Sequence, residues 1–164
     1  VNFTAMDLRG ADSARLLLTM LKRAGLAPSA LCVEVTEGTI FGKSSDEPAS
    51  ALRILHEAGV RVALDDFGTG YASLIHLKEI PVDALKIDRS FIDGLLADGG
   101  ASEEIVRAVL ALGQGLKKDV IAEGVETLAQ LTRLRELGCA FAQGFLLGRP
   151  APTLPAGDFL QHAA

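Results

Sequence analysis

Cysteine is scarce in this chain of 164 residues: Cys32 and Cys139 stand far apart, each in an apolar stretch, and no C-x-x-C pair occurs. Neither a thiolate zinc site nor a disulfide framework is indicated, and both thiols read as small core residues. Positive charge is short too, with 16 Lys and Arg against 21 Asp and Glu and a formal charge of −5. Such a chain does not suit broad binding to a nucleic-acid polymer or an anionic membrane, so a phosphate-bearing substrate would need a local cation. No apolar run approaches the roughly 20 residues of a bilayer span, and no basic leader precedes an apolar segment. The expected location is cytoplasmic, with any membrane anchor placed in an upstream domain of a longer parent. His56, His76 and His162 have no matching partners in sequence and are read as packing or surface residues rather than general bases.

Nearly half of the chain is apolar, enough for one domain with a sizeable core. Helix-period and strand-like segments alternate along it. The opening "VNFT" reads as the end of a strand, followed by the helix "DSARLLLTMLKRAGLAP" with Asp12 or Ser13 as its cap and Gly25 and Pro28 as stops. "LCVEVTE" is the next strand, "DEPASALRILHEAGV" a helix ended by Gly59, and "RVALDD" a strand. "DALKID", "DVIAEG" and "AFAQGF" continue the strands, separated by the helices "SEEIVRAVLALGQGLK" and "TLAQLTRLRELG". Six short strands alternating with helices imply a parallel sheet with helical crossovers.

Polar residues gather at one end of these strands: Asn2, Glu34, Asp65 with Asp66, Lys86 with Asp88, Glu123 and Gln143. A doubly wound sheet collects its ligand groups at one switch point, whereas a (β/α)₈ barrel draws on every strand end. Contributions from all six favour the barrel. A complete barrel takes about 250 residues and eight strands, so roughly the first two strands are expected upstream, with strands 3 to 8 present here.

The segments "VNFTA", "EVTEG", "DDFGTGYASL", "LKIDRSFI", "AEGVET" and "GCAFAQGFLLGRP" occur in the order of the EAL family, which this chain resembles over essentially its whole length. The resemblance implies an α/β, EAL-type modified TIM barrel that hydrolyses cyclic di-GMP. The family's naming Glu-Ala-Leu tripeptide, with its metal-ligating glutamate and the arginine that follows, is absent from the 164 residues. Residues 1–164 therefore read as a partial EAL domain, the C-terminal two-thirds, with a sensory or diguanylate cyclase domain expected upstream in the parent. A sheet edge left open at "VNFT" would favour self-association.

Four carboxylates and an amide oxygen, from Asn2, Glu34, Asp65, Asp66 and Glu123, would converge on one mouth. Such crowding raises pKa values unless a cation relieves it, and an all-oxygen set selects a hard divalent ion, Mg²⁺ or Mn²⁺. Two cations about 3.5–4 Å apart would explain the adjacent Asp65 and Asp66. The resemblance implies that Asn2 and Glu34 ligate one metal, that Asp65 bridges, and that Asp66 and Glu123 serve the other. Lys86 would orient the attacking water and offset transition-state charge, although a strand-end lysine can also simply snorkel. Asp88, two residues on, is expected to hold Lys86.

Glu37 resembles a family residue that anchors the loop after "DDFG". Glu126 could support the site or serve as an N-terminal helix charge, and Gln143 could hold a water or phosphate oxygen or satisfy backbone groups. Arg149, in the "GRP" segment that ends the last βα loop, could reach a phosphate. The family associates the loop after Asp66 with metal binding and homodimer contact. The rival to an enzyme is an EAL-type receptor or scaffold that binds cyclic di-GMP without turnover.

Overall fold

The computed structural model describes residues 1–41, 46–70, 77, 80–97 and 99–151. Five parallel strands form one sheet: β1 (Cys32–Thr36), β2 (Arg61–Phe67), β3 (Ala84–Ile87), β4 (Asp119–Ala122) and β5 (Phe141–Ala142). Their spatial order is their chain order, β1-β2-β3-β4-β5. Each crossover thus advances by one strand in the same direction, as in a barrel wall, and no switch point interrupts the sheet.

The expected opening strand shrinks to a single parallel bridge between Asn2 and Glu34. The Phe3 N–H donates to the Glu34 carbonyl at 2.8 Å and the Glu34 N–H to the Val1 carbonyl at 2.9 Å. Pairing stops there because Thr4 turns the chain, its N–H and Oγ1 both donating to Asp7 Oδ2 at 2.8 and 2.6 Å. Five strands and a bridge therefore replace the expected six.

The helices are α1 (Gly10–Arg23), α2 (Glu37–Phe41), α3 (Asp46–Glu57), α4 (Arg89–Gly94), α5 (Ala101–Leu116) and α6 (Leu128–Glu136). α1 begins before the expected caps: Arg9 holds the cap position, Asp12 lies in the first turn, and Ser13 Oγ donates back to the Gly10 carbonyl at 2.9 Å. α6 starts on a capping box, with Thr127 Oγ1 accepting from the Gln130 N–H and Gln130 Oε1 accepting from the Thr127 N–H.

Strand alternation divides the sheet's faces. Val33, Val35, Leu64, Leu85 and Ile87 join Leu52, Leu55, Ile92 and Val106 of the helices in one buried apolar cluster. The registers Glu34↔Ala63, Ala63↔Ala84, Thr36↔Asp65 and Lys86↔Ile121 place Glu34, Asp65, Lys86 and the residue line toward Glu123 on the opposite face. Ala63 and Ala84 keep that face small just before Asp65 and Lys86.

Candidate active site

Lys86 is the centre of the polar face. Its side chain is only 4% exposed and its Nζ meets Glu34 Oε2 at 2.8 Å, Asp65 Oδ1 at 3.1 Å and Glu123 Oε1 at 2.5 Å. An ammonium this deep survives only if paired. Burial pulls its pKa down, but the hydrogen bonds to Glu123 and Glu34 and the charge of Asp65 win, and the net shift is upward. Lys86 therefore stays a cation and is no base at neutral pH.

The adjacent aspartates are explained by the backbone. The β2–β3 register shifts between Leu64 and Phe67, and Asp66 stands in the left-handed region at φ 54°. That break in the pleat lets both carboxylates reach the same mouth, at a conformational cost that a non-glycine residue rarely bears without function. One carboxylate oxygen from each of Asp65, Asp66 and Glu123 lies within 4.8 Å of the others. Burial first, then the neighbouring Asp65 and Asp88, push the Asp66 carboxyl up. Glu123 is pushed up to about 6, again first by burial and also by Asp65, against the pull of Lys86.

The other expected site residues are distributed around this cluster. Asn2 is exposed and lies beside Glu34 through its backbone bridge. Glu37 is buried; its Oε1 accepts from the Gly68 N–H at 3.2 Å, and a Cβ on Gly70 would come within 2.5 Å of its Oε2. The residues after Asp66 are thus drawn onto Glu37, and Gly70 leaves the room for it. Asp88 does not hold Lys86, whose ammonium is taken up by three other carboxylates; it caps α4, accepting from the Ser90 N–H and Oγ, and lies against Asp66.

Glu126 accepts from Arg89 Nη2 at 2.9 Å. Gln143 follows β5 with an exposed side chain, while its backbone links Ala122 and Val125. Arg149 lies over the Phe145 ring at 4.3 Å. His56 pairs with Asp83 at 3.1 Å on the amino side of β3, away from the cluster. Residues 71–76, most of the loop assigned to dimer contact, and His162 lie outside the described residues. Arg89 was not among the sequence candidates, because its partner stands in a different βα unit.

The fit of a metal is judged from the donors. Three carboxylates share one ammonium and Asp66 stands beside them, leaving three negative charges uncompensated when all four are ionised. Among the described residues three oxygens converge with no nitrogen or sulfur donor beside them, and with a Glu123 carboxyl whose ionised form is penalised they fit a hard divalent cation.

A singly wound parallel α/β sheet with an acidic, metal-competent mouth at its strand ends is the arrangement of a TIM-barrel type catalytic domain. Comparison with known proteins makes the class specific: the EAL domain profile matches residues 1–150, and the chain belongs to the EAL domain family. MucR of Pseudomonas aeruginosa, a bifunctional diguanylate cyclase/cyclic di-GMP phosphodiesterase, is 45% identical over 152 residues, 93% of this chain and 22% of its own. NbdA of the same organism, a cyclic di-GMP phosphodiesterase, is 43% identical over 161 residues, 98% of this chain and 20% of its own. The chain thus spans about a fifth of the length of these curated relatives. The structure of the PaMucR phosphodiesterase in complex with c-di-GMP matches with a TM-score of 0.85, covering 93% of this chain and 61% of that one at 45% identity. The manganese/cy-diGMP complex of Klebsiella pneumoniae BlrP1 at pH 9.0 matches with a TM-score of 0.84 at 34% identity, covering 92% of this chain and 38% of that one. Among the described residues no helix is long and apolar enough to cross a membrane.

Proposed function

We propose that this chain carries catalytic machinery for hydrolysis of cyclic di-GMP to linear pGpG in bacterial second-messenger signalling. The observation that carries the reading is the meeting of Asp65, Asp66 and Glu123 around a buried Lys86. In the reaction a water oxygen joins one phosphorus, its P–O3′ bond breaks, and the departing 3′ oxygen takes up a proton. A pair of divalent cations, Mg²⁺ or Mn²⁺, would be held by Asp65, Asp66 and Glu123 with Glu34 and Asn2, supplying Lewis acidity and an acidified water. Lys86 supplies a fixed positive charge beside the reacting phosphate, where negative charge grows in the transition state. Glu37 holds the loop after Asp66, Asp88 supports Asp66 from the start of α4, and Gln143 and Glu126 line the mouth nearer solvent.

Residues 1–164 are read as a partial EAL domain, its C-terminal two-thirds, in a parent with a sensory or diguanylate cyclase domain upstream. The described sheet is an open arc of five strands where a barrel has eight, so further strands are needed to close the mouth. Pairing of two copies through the loop after Asp66 is the assembly proposed; the anchoring of Gly68 by Glu37 supports a shaped loop there.

The test is pGpG formation from cyclic di-GMP with Mn²⁺, measured in parallel for this chain and for a longer chain that completes eight strands. Turnover is expected from the longer chain and negligible turnover from the 164 residues alone. Tight binding of cyclic di-GMP with no product from the longer chain would replace the enzyme by a receptor.

A further inference from the structure

Glu123 sits at the head of a loop, 123–127, that has to hold one carboxylate against Lys86. Two side chains tie this loop to α4, Gln130 of α6 and Arg89 of α4 itself. On one side Gln130, buried, accepts the Glu126 and Thr127 N–H groups at 3.0 and 2.9 Å and donates through Nε2 to the Ile92 carbonyl of α4 at 3.1 Å. On the other side lies Arg89, the first residue of α4. Its Nη2 meets Glu126 Oε1 at 2.9 Å and its Nε meets Asp93 Oδ2 at 3.1 Å.

The Arg89 stem crosses Gly124, the residue after Glu123. Gly124 stands at φ +72°, and a Cβ there would come within 2.4 Å of Arg89 Cγ and 2.9 Å of its Cβ and Cδ. These are atoms at the root of the side chain, whose place is set by the α4 backbone, so they cannot swing aside as a side-chain tip can. Two ion pairs with the same three-residue step on both segments result: Lys86 with Glu123 inside, Arg89 with Glu126 outside. The outer pair is half exposed and as an ion pair contributes little to stability. Its distinctive feature is the stem lying on the loop.

We infer that Arg89 is a positioning residue: by lying across Gly124 and holding Glu126, it fixes the 123–127 loop and so places the Glu123 carboxylate in the metal cluster. The inference rests on the metal reading of Asp65, Asp66 and Glu123, and its test separates the two.

Mn²⁺ is titrated into this chain and into Arg89→Ala and Arg89→Lys, with thermal melting as the readout, and backbone amide exchange of residues 123–127 is followed without metal. Arg89→Ala is expected to raise the Mn²⁺ midpoint about tenfold, the usual scale for losing a group that orients a ligand. Its metal-free Tm should move by less than about 3 °C. Arg89→Lys keeps the stem over Gly124 and a charge for Glu126, and should recover most of the affinity. Exchange in 123–127 should quicken by about tenfold in Arg89→Ala while peptides elsewhere keep their rates. An unchanged Mn²⁺ midpoint in Arg89→Ala overturns the inference, as does a large Tm loss with no rescue by Lys. If even the unsubstituted chain ignores Mn²⁺, the metal reading is what fails. The exchange arm then decides the clamp by itself, and unchanged exchange in 123–127 overturns it.

Discussion

Glu103 on the outer helices and Glu123 in the mouth each touch a cation, and each side chain is 18% exposed, yet their carboxyls move in opposite directions. Glu103 is gripped by Arg133 at 2.6 and 2.8 Å and by Arg107 at 2.7 Å, and hydrogen bonds from these two guanidinium groups pull it down to about 2. Glu123 shares a single ammonium with Glu34 and Asp65, and burial and Asp65 push it up to about 6. Two cations converge on Glu103, whereas one cation is divided among three carboxylates in the mouth. The further partners of the outer guanidinium groups, Glu104 and Glu136, stand in solvent, which meets their charge. The inner cluster leaves a deficit that a bound cation can close, which is how a binding site differs from a structural ion-pair network.

The largest break in this contrast comes from Lys86→Met, which removes the one cation that the described residues place among these carboxylates. Breaking a buried ion pair typically costs about 3–5 kcal/mol, which for a chain of this size lowers the metal-free Tm by about 10 °C. Mn²⁺ should restore much of that loss, while turnover in a complete domain should fall by orders of magnitude. A Tm within 2 °C or so of the parent would show that Lys86 does not neutralise the cluster. Next in size is Asp65→Asn. Metal that binds the folded chain alone, at about 100 times its Kd, stabilises by about 2.7 kcal/mol, a Tm rise of roughly 5–10 °C. The substitution should abolish most of that rise, and an undiminished rise would remove Asp65 from the metal set.

Glu123→Gln sharpens the comparison through pH. A folded pKa raised to about 6 from the ordinary 4.5 or so means that the folded chain holds this proton more tightly than the unfolded one. Stability is then lost as pH rises from about 4.5 to about 6, and the full loss, on the order of 2 kcal/mol, persists above that. Gln mimics the protonated form and does not titrate. The metal-free variant should therefore melt a few degrees higher than the parent at pH 7 and equal to it below pH 4.5 or so, even though it binds Mn²⁺ more weakly. A lower Tm at pH 7 would mean that the Lys86 pair outweighs the burial penalty.

Much of this mouth was legible in sequence because alternation along parallel strands is a local rule. Glu34, Asp65, Lys86 and Glu123 each follow a buried apolar neighbour, Val33, Leu64, Leu85 and Ala122, and such spacing decides the face without knowledge of the register. The order of strands was legible for the same reason. Asp66 was legible only as a puzzle, since its left-handed backbone depends on the register shift against β3. Asp88 was misassigned to Lys86 because two residues along a strand share a face, but the strand ends at Ile87 and Asp88 already caps a helix. The opening strand was overread because the Thr4 to Asp7 turn was not recognised. The Arg89–Glu126 and Glu103–Arg133 pairs join residues of different βα units, and only packing of one unit on the next brings them together.

The smallest effect should come from the other half of the comparison, Glu103→Gln. Glu103 has a depressed folded pKa, so its contribution is present above about pH 4.5 and is lost as pH falls through about 2, opposite in sign to Glu123. Gln keeps one acceptor for Arg133 but no charge. Exposed ion pairs of this kind are screened by salt and pay for the ordering of long side chains, so the Tm at pH 7 should fall by only a few degrees, and by less in high salt. The gap between variant and parent should close as pH falls from about 4.5 toward 2, and the Mn²⁺ midpoint should stay where it is. A change in that midpoint would couple the outer helices to the mouth and erase the division between a carboxylate held by two cations and a cluster that awaits one.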